Sequence, residues 1–163
     1  MQITLKGNPV DLEGVQPIVG DKAPNFSLQD LKDEVVELSS SINQPLIISV
    51  VPDIDTSVCA LQTKRFNQEA ATETGLNFVT ISNNTKDEQS NWCAAEGVEM
   101  TMLRDADLEF AKNYGLLIPA INRLARAIFV VDTKGTIVYE EITPEVSQEP
   151  DYVKALEAAK ALI

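Results

Sequence analysis

VVPDIDTSVCALQTKR, residues Val50–Arg65, reads as the end of a strand, a short loop and the opening of a helix. The run leading into it, Pro45-Leu46-Ile47-Ile48-Ser49-Val50-Val51, is almost wholly apolar and rich in β-branched residues. Such a run is a strand buried on both faces, the kind that lies at the centre of an α/β sheet. Pro52 ends it, because proline cannot donate to a ladder. Asp53, Asp55, Thr56 and Ser57 then offer side-chain oxygens suited to capping a helix. In that helix Cys59, Thr63, Phe66 and Ala70 fall along one face. With Thr56 as N-cap, Cys59 is the third helical residue, where free N–H groups and the helix dipole favour an anion. Helix N-termini are places where cysteine thiols become reactive. The same position also suits a small apolar residue that only packs the helix start.

The rest of the chain supplies the frame of an α/β domain. Gln2–Leu5 and Val10–Leu12 flank a Gly7-Asn8-Pro9 turn and predict an N-terminal β-hairpin. Val15–Asn25, with two prolines and a glycine, reads as loop, and Phe26–Leu28 and Val35–Leu38 as short strands. Ser39–Gln44 leads into the central strand. Gly75 stops the Cys59 helix and Leu76–Ile81 is the next buried strand. Thr85-Lys86-Asp87-Glu88 fits a capping box, which predicts a helix over Lys86–Glu96 stopped by Gly97, with Cys93 late in it. A short strand at Met100–Leu103 and a short helix at Leu108–Tyr114 follow. Ala127–Val131 and Thr136–Glu140, joined by Asp132-Thr133-Lys134-Gly135, predict a hairpin. Pro150 opens a last helix with Tyr152, Leu156, Ala159 and Ile163 as its apolar stripe.

Composition narrows the function. The chain of 163 residues, 44% hydrophobic, suits one domain, 1–163. A net charge of −12 argues against nucleic acid or an anionic membrane as a partner. No apolar run approaches the ~20 residues that span a bilayer. The start, MQITLKGNPV, lacks the pattern of a secretory signal, so a cytoplasmic location is expected. Two cysteines in such a protein suggest reactive thiols rather than a structural framework. The sequence contains no histidine. Cys–His catalysis and histidine-based metal sites are therefore excluded, and neither metal nor organic cofactor is expected. Activation of a cysteine must come from backbone dipoles, Arg, Lys or hydroxyl groups.

Pro52, Thr56 and Cys59 together form P-x-x-x-T-x-x-C, the active-site pattern of the peroxiredoxins. The longer string PDIDTSVCALQTKRFNQE resembles the thiol peroxidase branch of that family. Gly7-Asn8-Pro9-Val10, Trp92-Cys93-Ala94-Ala95-Glu96-Gly97, Leu124-Ala125-Arg126-Ala127 and Glu149-Pro150-Asp151-Tyr152 match it in the expected order. One departure is the polar stretch Asn83–Gln89, where the family usually has a more apolar segment before the second cysteine.

The resemblance implies a thioredoxin-like fold, a central mixed sheet flanked by helices with the N-terminal hairpin added. It implies a Cys59 thiolate that attacks hydrogen peroxide or an organic hydroperoxide. Thr56, one helical turn earlier, is placed to donate to the peroxide as well as to cap the helix. Arg126, a charge just before an apolar strand, becomes the residue that contacts the thiolate, with Arg123 expected at the surface. Pro52 shields the sulfur from water. Cys93 becomes the resolving thiol of a Cys59–Cys93 disulfide, for which the first turn around Cys59 and part of the Cys93 helix must unravel. Thioredoxin is the implied reductant, and a homodimer the implied assembly. The chain ends at Ile163 just after its last helix, so no C-terminal extension is expected over the site. Two other readings stay open. A general disulfide oxidoreductase normally uses C-x-x-C, whereas Thr56 and Gln62 stand three residues either side of Cys59. A redox sensor would form the same disulfide without turning over.

Overall fold

The computed structural model describes residues 1–97 and 100–163. Its elements run β1 (Gln2–Leu5), β2 (Asn8–Asp11), β3 (Ser27–Gln29), β4 (Val35–Glu37), α1 (Leu38–Ser41), β5 (Leu46–Val50), α2 (Ser57–Thr72), β6 (Asn77–Ser82), α3 (Lys86–Glu96), β7 (Met102–Arg104), α4 (Glu109–Asn113), β8 (Leu117–Ile118), β9 (Arg123–Leu124), β10 (Ala127–Val131), β11 (Ile137–Ile142) and α5 (Tyr152–Lys160). Seven strands form one sheet in the order β11-β10-β5-β6-β7-β3-β4. β5, β6 and β7 are parallel, and β10 runs antiparallel to β5. This mixed sheet, flanked by helices and preceded by the β1–β2 hairpin, is the expected thioredoxin-like arrangement.

The centre of the sheet follows from the alternation of side chains along a strand. Every residue of β5 and β10 is buried. Leu46, Ile48 and Val50 pack on one face with Ala127, Phe129 and Val131. Ile47 packs on the other with Ile128 and Val130, beneath Phe66 of α2 and Leu156 of α5. A strand with two covered faces has no room for polar alternation, which is why the Pro45–Val51 run is apolar throughout. A third, smaller cluster joins Val51, Ile54, Cys59, Trp92 and Met102 where α2 and α3 begin to cover the strand ends.

Several details differ from the sequence-based expectation. The first hairpin turns at Lys6-Gly7, both at positive φ, and Asn8 and Pro9 belong to β2. Ser39–Gln44 contains a helical turn, α1, that its serines conceal, since serine reads as loop until its hydroxyl finds a backbone carbonyl. The two-residue pair β8–β9 is too short to leave a periodic signal. Ile163 lies outside the α5 stripe and is exposed, because the helix ends at Lys160. Ala70 is only half-buried, while Cys59, Thr63 and Phe66 are buried as expected. Among the described residues, no helix is long and apolar enough to cross a membrane.

Candidate active site

The loop between β5 and α2 is pinned before the helix begins. The Ile54 amide donates to Asn84 Oδ1 (2.9 Å) and Asn84 Nδ2 donates to Asp53 Oδ1 (3.0 Å). Thr56 is the N-cap, in extended conformation, so Cys59 stands at the third helical position as read from the sequence. The capping is by backbone alone: the Thr56 hydroxyl donates to the Asp53 carbonyl (2.9 Å) instead of accepting from the first turn. The hydroxyl is thus turned by the loop carbonyl it satisfies, and the first-turn N–H groups are left uncapped by it. Cys59 itself is fully buried.

Arg126 lies between β9 and β10 with its guanidinium inside the protein, 2% exposed. Nη2 donates to Cys59 Sγ (3.3 Å), Nη1 to Gln62 Oε1 (2.9 Å) and Nε to the Val146 carbonyl (2.8 Å). Gln62 is in turn fixed by its Nε2, which donates to Ser49 Oγ (2.9 Å) and the Val50 carbonyl (3.3 Å). A buried cation is costly unless its donors are satisfied and its charge is balanced. Here the guanidinium's donors are met by two neutral oxygens and the Cys59 sulfur. The fork geometry of the guanidinium allows a single arginine to hold three directions at once.

The N-terminal hairpin supports this from behind. Val146 N donates to the Thr4 carbonyl and Thr4 N to the Pro144 carbonyl, both at 2.8 Å. The Glu145 carboxylate accepts from Gly7 N (2.8 Å), Thr4 Oγ1 (3.0 Å), and Ser147 N and Oγ (2.6 Å each). Those bonds, the Ser147 pair foremost, hold its carboxyl down at about 2. The hairpin therefore sets the loop that presents the Val146 carbonyl to Arg126.

A cavity of about 490 Å³ opens above this network, lined by Pro52, Thr56, Val58, Ile121, Arg123 and Arg126 among others. Pro52 is buried in its wall. Arg123, expected at the surface, instead lines the cavity, 3.6 Å from Asp53 and donating to Asn83 Oδ1 (3.1 Å). Pairing with Asp53 draws it to the mouth, since that carboxylate belongs to the loop between β5 and α2.

Cys93 is half-buried on α3, whose Thr85/Glu88 capping box and left-handed Gly97 are as read from the sequence. It packs against the same small cluster that contains Cys59, and both thiols are free. Burial pushes the Cys93 thiol up. The structure thus brings Thr56, Pro52 and Arg126 around one cavity, with the buried Cys59 sulfur behind its wall on Arg126 and Cys93 on the neighbouring helix. Gln62 and the Val146 carbonyl were not singled out from the sequence. Gln62 carried a signal, a polar residue in the buried stripe Cys59, Gln62, Thr63, Phe66; a backbone carbonyl carries none.

Residues 19–140 match the AhpC/TSA family. The chain is 46% identical to a thiol peroxidase of Listeria innocua over 161 residues, 98% of each chain. It is 42% identical to a thiol peroxidase of Bacillus subtilis over 164 residues, covering 99% of this chain and 98% of the relative. Among solved structures, a peroxiredoxin-like protein from Aquifex aeolicus superposes with a TM-score of 0.93 at 31% identity, across 99% of this chain and 97% of the other.

Proposed function

Since the chain belongs to the AhpC/TSA family and is a peroxidase of the peroxiredoxin type, we propose that Cys59 is its peroxidatic nucleophile and Cys93 its resolving thiol. The Cys59 thiolate attacks one oxygen of a hydroperoxide, the O–O bond breaks, and the departing alkoxide or hydroxide takes a proton to leave as alcohol or water. Cys59 is left as sulfenic acid. The Cys93 thiol then attacks that sulfur, forming the disulfide and releasing water. A dithiol protein, thioredoxin, reduces the disulfide and is itself oxidised.

The observation that carries this reading is the buried contact from Arg126 Nη2 to Cys59 Sγ, made by an arginine that also lines a cavity large enough for a substrate. Arg126 is the donor for charge that develops on the leaving oxygen, joined by the Thr56 hydroxyl once it swings off the Asp53 carbonyl, and Pro52 limits water at the sulfur. Apolar wall residues such as Val58 and Ile121 suit organic hydroperoxides as well as hydrogen peroxide. The single domain works without metal or bound cofactor, in the cytoplasm and as a homodimer. Exposed Val15, Ile18 and Val19 are side chains of the kind a second copy covers.

The test is turnover of hydrogen peroxide and cumene hydroperoxide coupled to thioredoxin, its reductase and NADPH. The wild type is expected to turn over, Cys59→Ser to be inactive, and Cys93→Ser to react once and stop. Activity in Cys59→Ser, or sustained thioredoxin-dependent turnover in Cys93→Ser, overturns the assignment.

A further inference from the structure

We propose that the ion pair between Lys64 and Glu96 is a latch that sets how fast Cys93 is released to form the disulfide. The inference rests on the reading of Cys93 as the resolving thiol. The two ends of α3 are held very differently. At the N-terminal end Thr85 and Glu88 close a capping box, and Lys86 Nζ lies 2.6 Å from Asp33 Oδ2. Gln89, fully buried, donates to Ser82 Oγ (3.0 Å) and the Leu103 carbonyl (3.1 Å). Beyond Trp92 the helix presents exposed Ala94, Ala95 and Glu96 and a half-buried Cys93. Among the described residues, the polar tie from this second half to the rest of the protein is Lys64 Nζ to Glu96 Oε2, at 2.6 Å.

Electrostatics makes that tie matter more than its exposure suggests. The last turn of α3 has no basic residue and carries Glu96 at the negative end of the helix dipole, an unfavourable placement. Lys64, reaching across from α2, supplies the cation the helix lacks. The pair joins the two cysteine-bearing helices a few residues beyond each cysteine. Breaking it leaves the Cys93 turn held by packing and by the helix's own backbone bonds, such as that from Gly97 N to the Cys93 carbonyl, while the capped half stays in place. Opening therefore begins at the C-terminal end of α3, and Lys64 and Glu96 are positioning residues for the resolving step.

Hydrogen exchange of the reduced protein and stopped-flow emission of Trp92, the sole tryptophan, test this together. Exposed ion pairs are weak and screened by salt, so Glu96→Gln is expected to raise exchange over residues 92–97 about two- to fivefold. Exchange over 86–91 is expected to stay unchanged. The peroxide-independent disulfide step should quicken by the same factor while the peroxide-dependent step does not change. Added salt should quicken that step in the wild type and not in the variant, and Lys64→Glu with Glu96→Lys should restore the slower rate. Equal exchange and equal disulfide rates in wild type and Glu96→Gln overturn the latch, as does faster exchange at 86–91 to match 92–97. Loss of only one thiol from peroxide-treated wild type instead overturns the Cys93 reading beneath it.

Discussion

Replacing Gln62 with leucine tests whether the buried network holds Arg126 in place against the Cys59 sulfur. Leucine nearly conserves the volume, so the cavity contribution is small. The charge-assisted bond from Arg126 Nη1 (2.9 Å) is lost, at about 1.5–3 kcal/mol. The donations to Ser49 Oγ (2.9 Å) and the Val50 carbonyl (3.3 Å) go with it, at about 0.5–1.5 kcal/mol each. Burial of the added apolar surface returns about 1–2 kcal/mol, which leaves a net loss of about 0.5–5 kcal/mol, centred near 3. Urea unfolding of the reduced protein reads this directly, and for a chain of this size the Tm should fall by about 2–4 °C per kcal/mol. Arg126 keeps its bond to the Val146 carbonyl, so its guanidinium stays in the site with one of two oxygen tethers gone. The peroxide-dependent step is then expected to slow about tenfold, or about 1.4 kcal/mol. A variant whose stability lies within about 0.5 kcal/mol of wild type, or whose peroxide step is unaltered, refutes the network as the device that positions Arg126.

Other outcomes follow from the same structure. Glu145→Gln should slow the peroxide step severalfold by loosening the Val146 loop. In the wild type, the Glu145 carboxylate, held at about 2, contributes stability above the usual ~4.3 that is lost as pH falls through about 2; hairpin amides followed by hydrogen exchange should lose protection over that window, and less so in the variant. Burial raises the Cys93 thiol, so the disulfide step should keep accelerating with pH beyond the ordinary cysteine value of ~8.5. Because the folded state holds that proton more tightly, stability should decline as pH rises through ~8.5, and Cys93→Ser should abolish that decline in denaturant titrations. Ile47→Ala, at the fully buried centre of β5, should cost about 2–5 kcal/mol without changing the peroxide step of the protein that remains folded.

The parts of the fold legible in the sequence were those with a strong local pattern. β5 declared itself by an unbroken apolar run, α3 by Thr85, Glu88 and Gly97, and the α2 start by Pro52 and Thr56. These signals are short-range, so the chain around them needs no tertiary information. Cys59, Arg126 and Cys93 were legible through motif and resemblance, and the structure places them on adjoining elements. What escaped was set by contacts distant in sequence. Nothing in Arg123 announces that Asp53 draws it to the cavity mouth, and the Thr56 hydroxyl turns away from its own helix because the Asp53 carbonyl is nearer. The Val146 carbonyl is a backbone atom on a loop whose register depends on Thr4 and Gly7, so no reading of its side chain could have found it.

The most direct test of the account is a single turnover. Fully reduced protein is mixed with one equivalent of hydrogen peroxide, Trp92 emission is followed by stopped flow, and free thiols are counted afterwards. The account expects a rapid change, first order in peroxide, with both thiols lost; Cys93→Ser stops at one sulfenic acid, and Arg126→Met reacts far more slowly. Oxidation of the wild type no faster than that of a free thiol, or an Arg126→Met variant as fast as wild type, contradicts it.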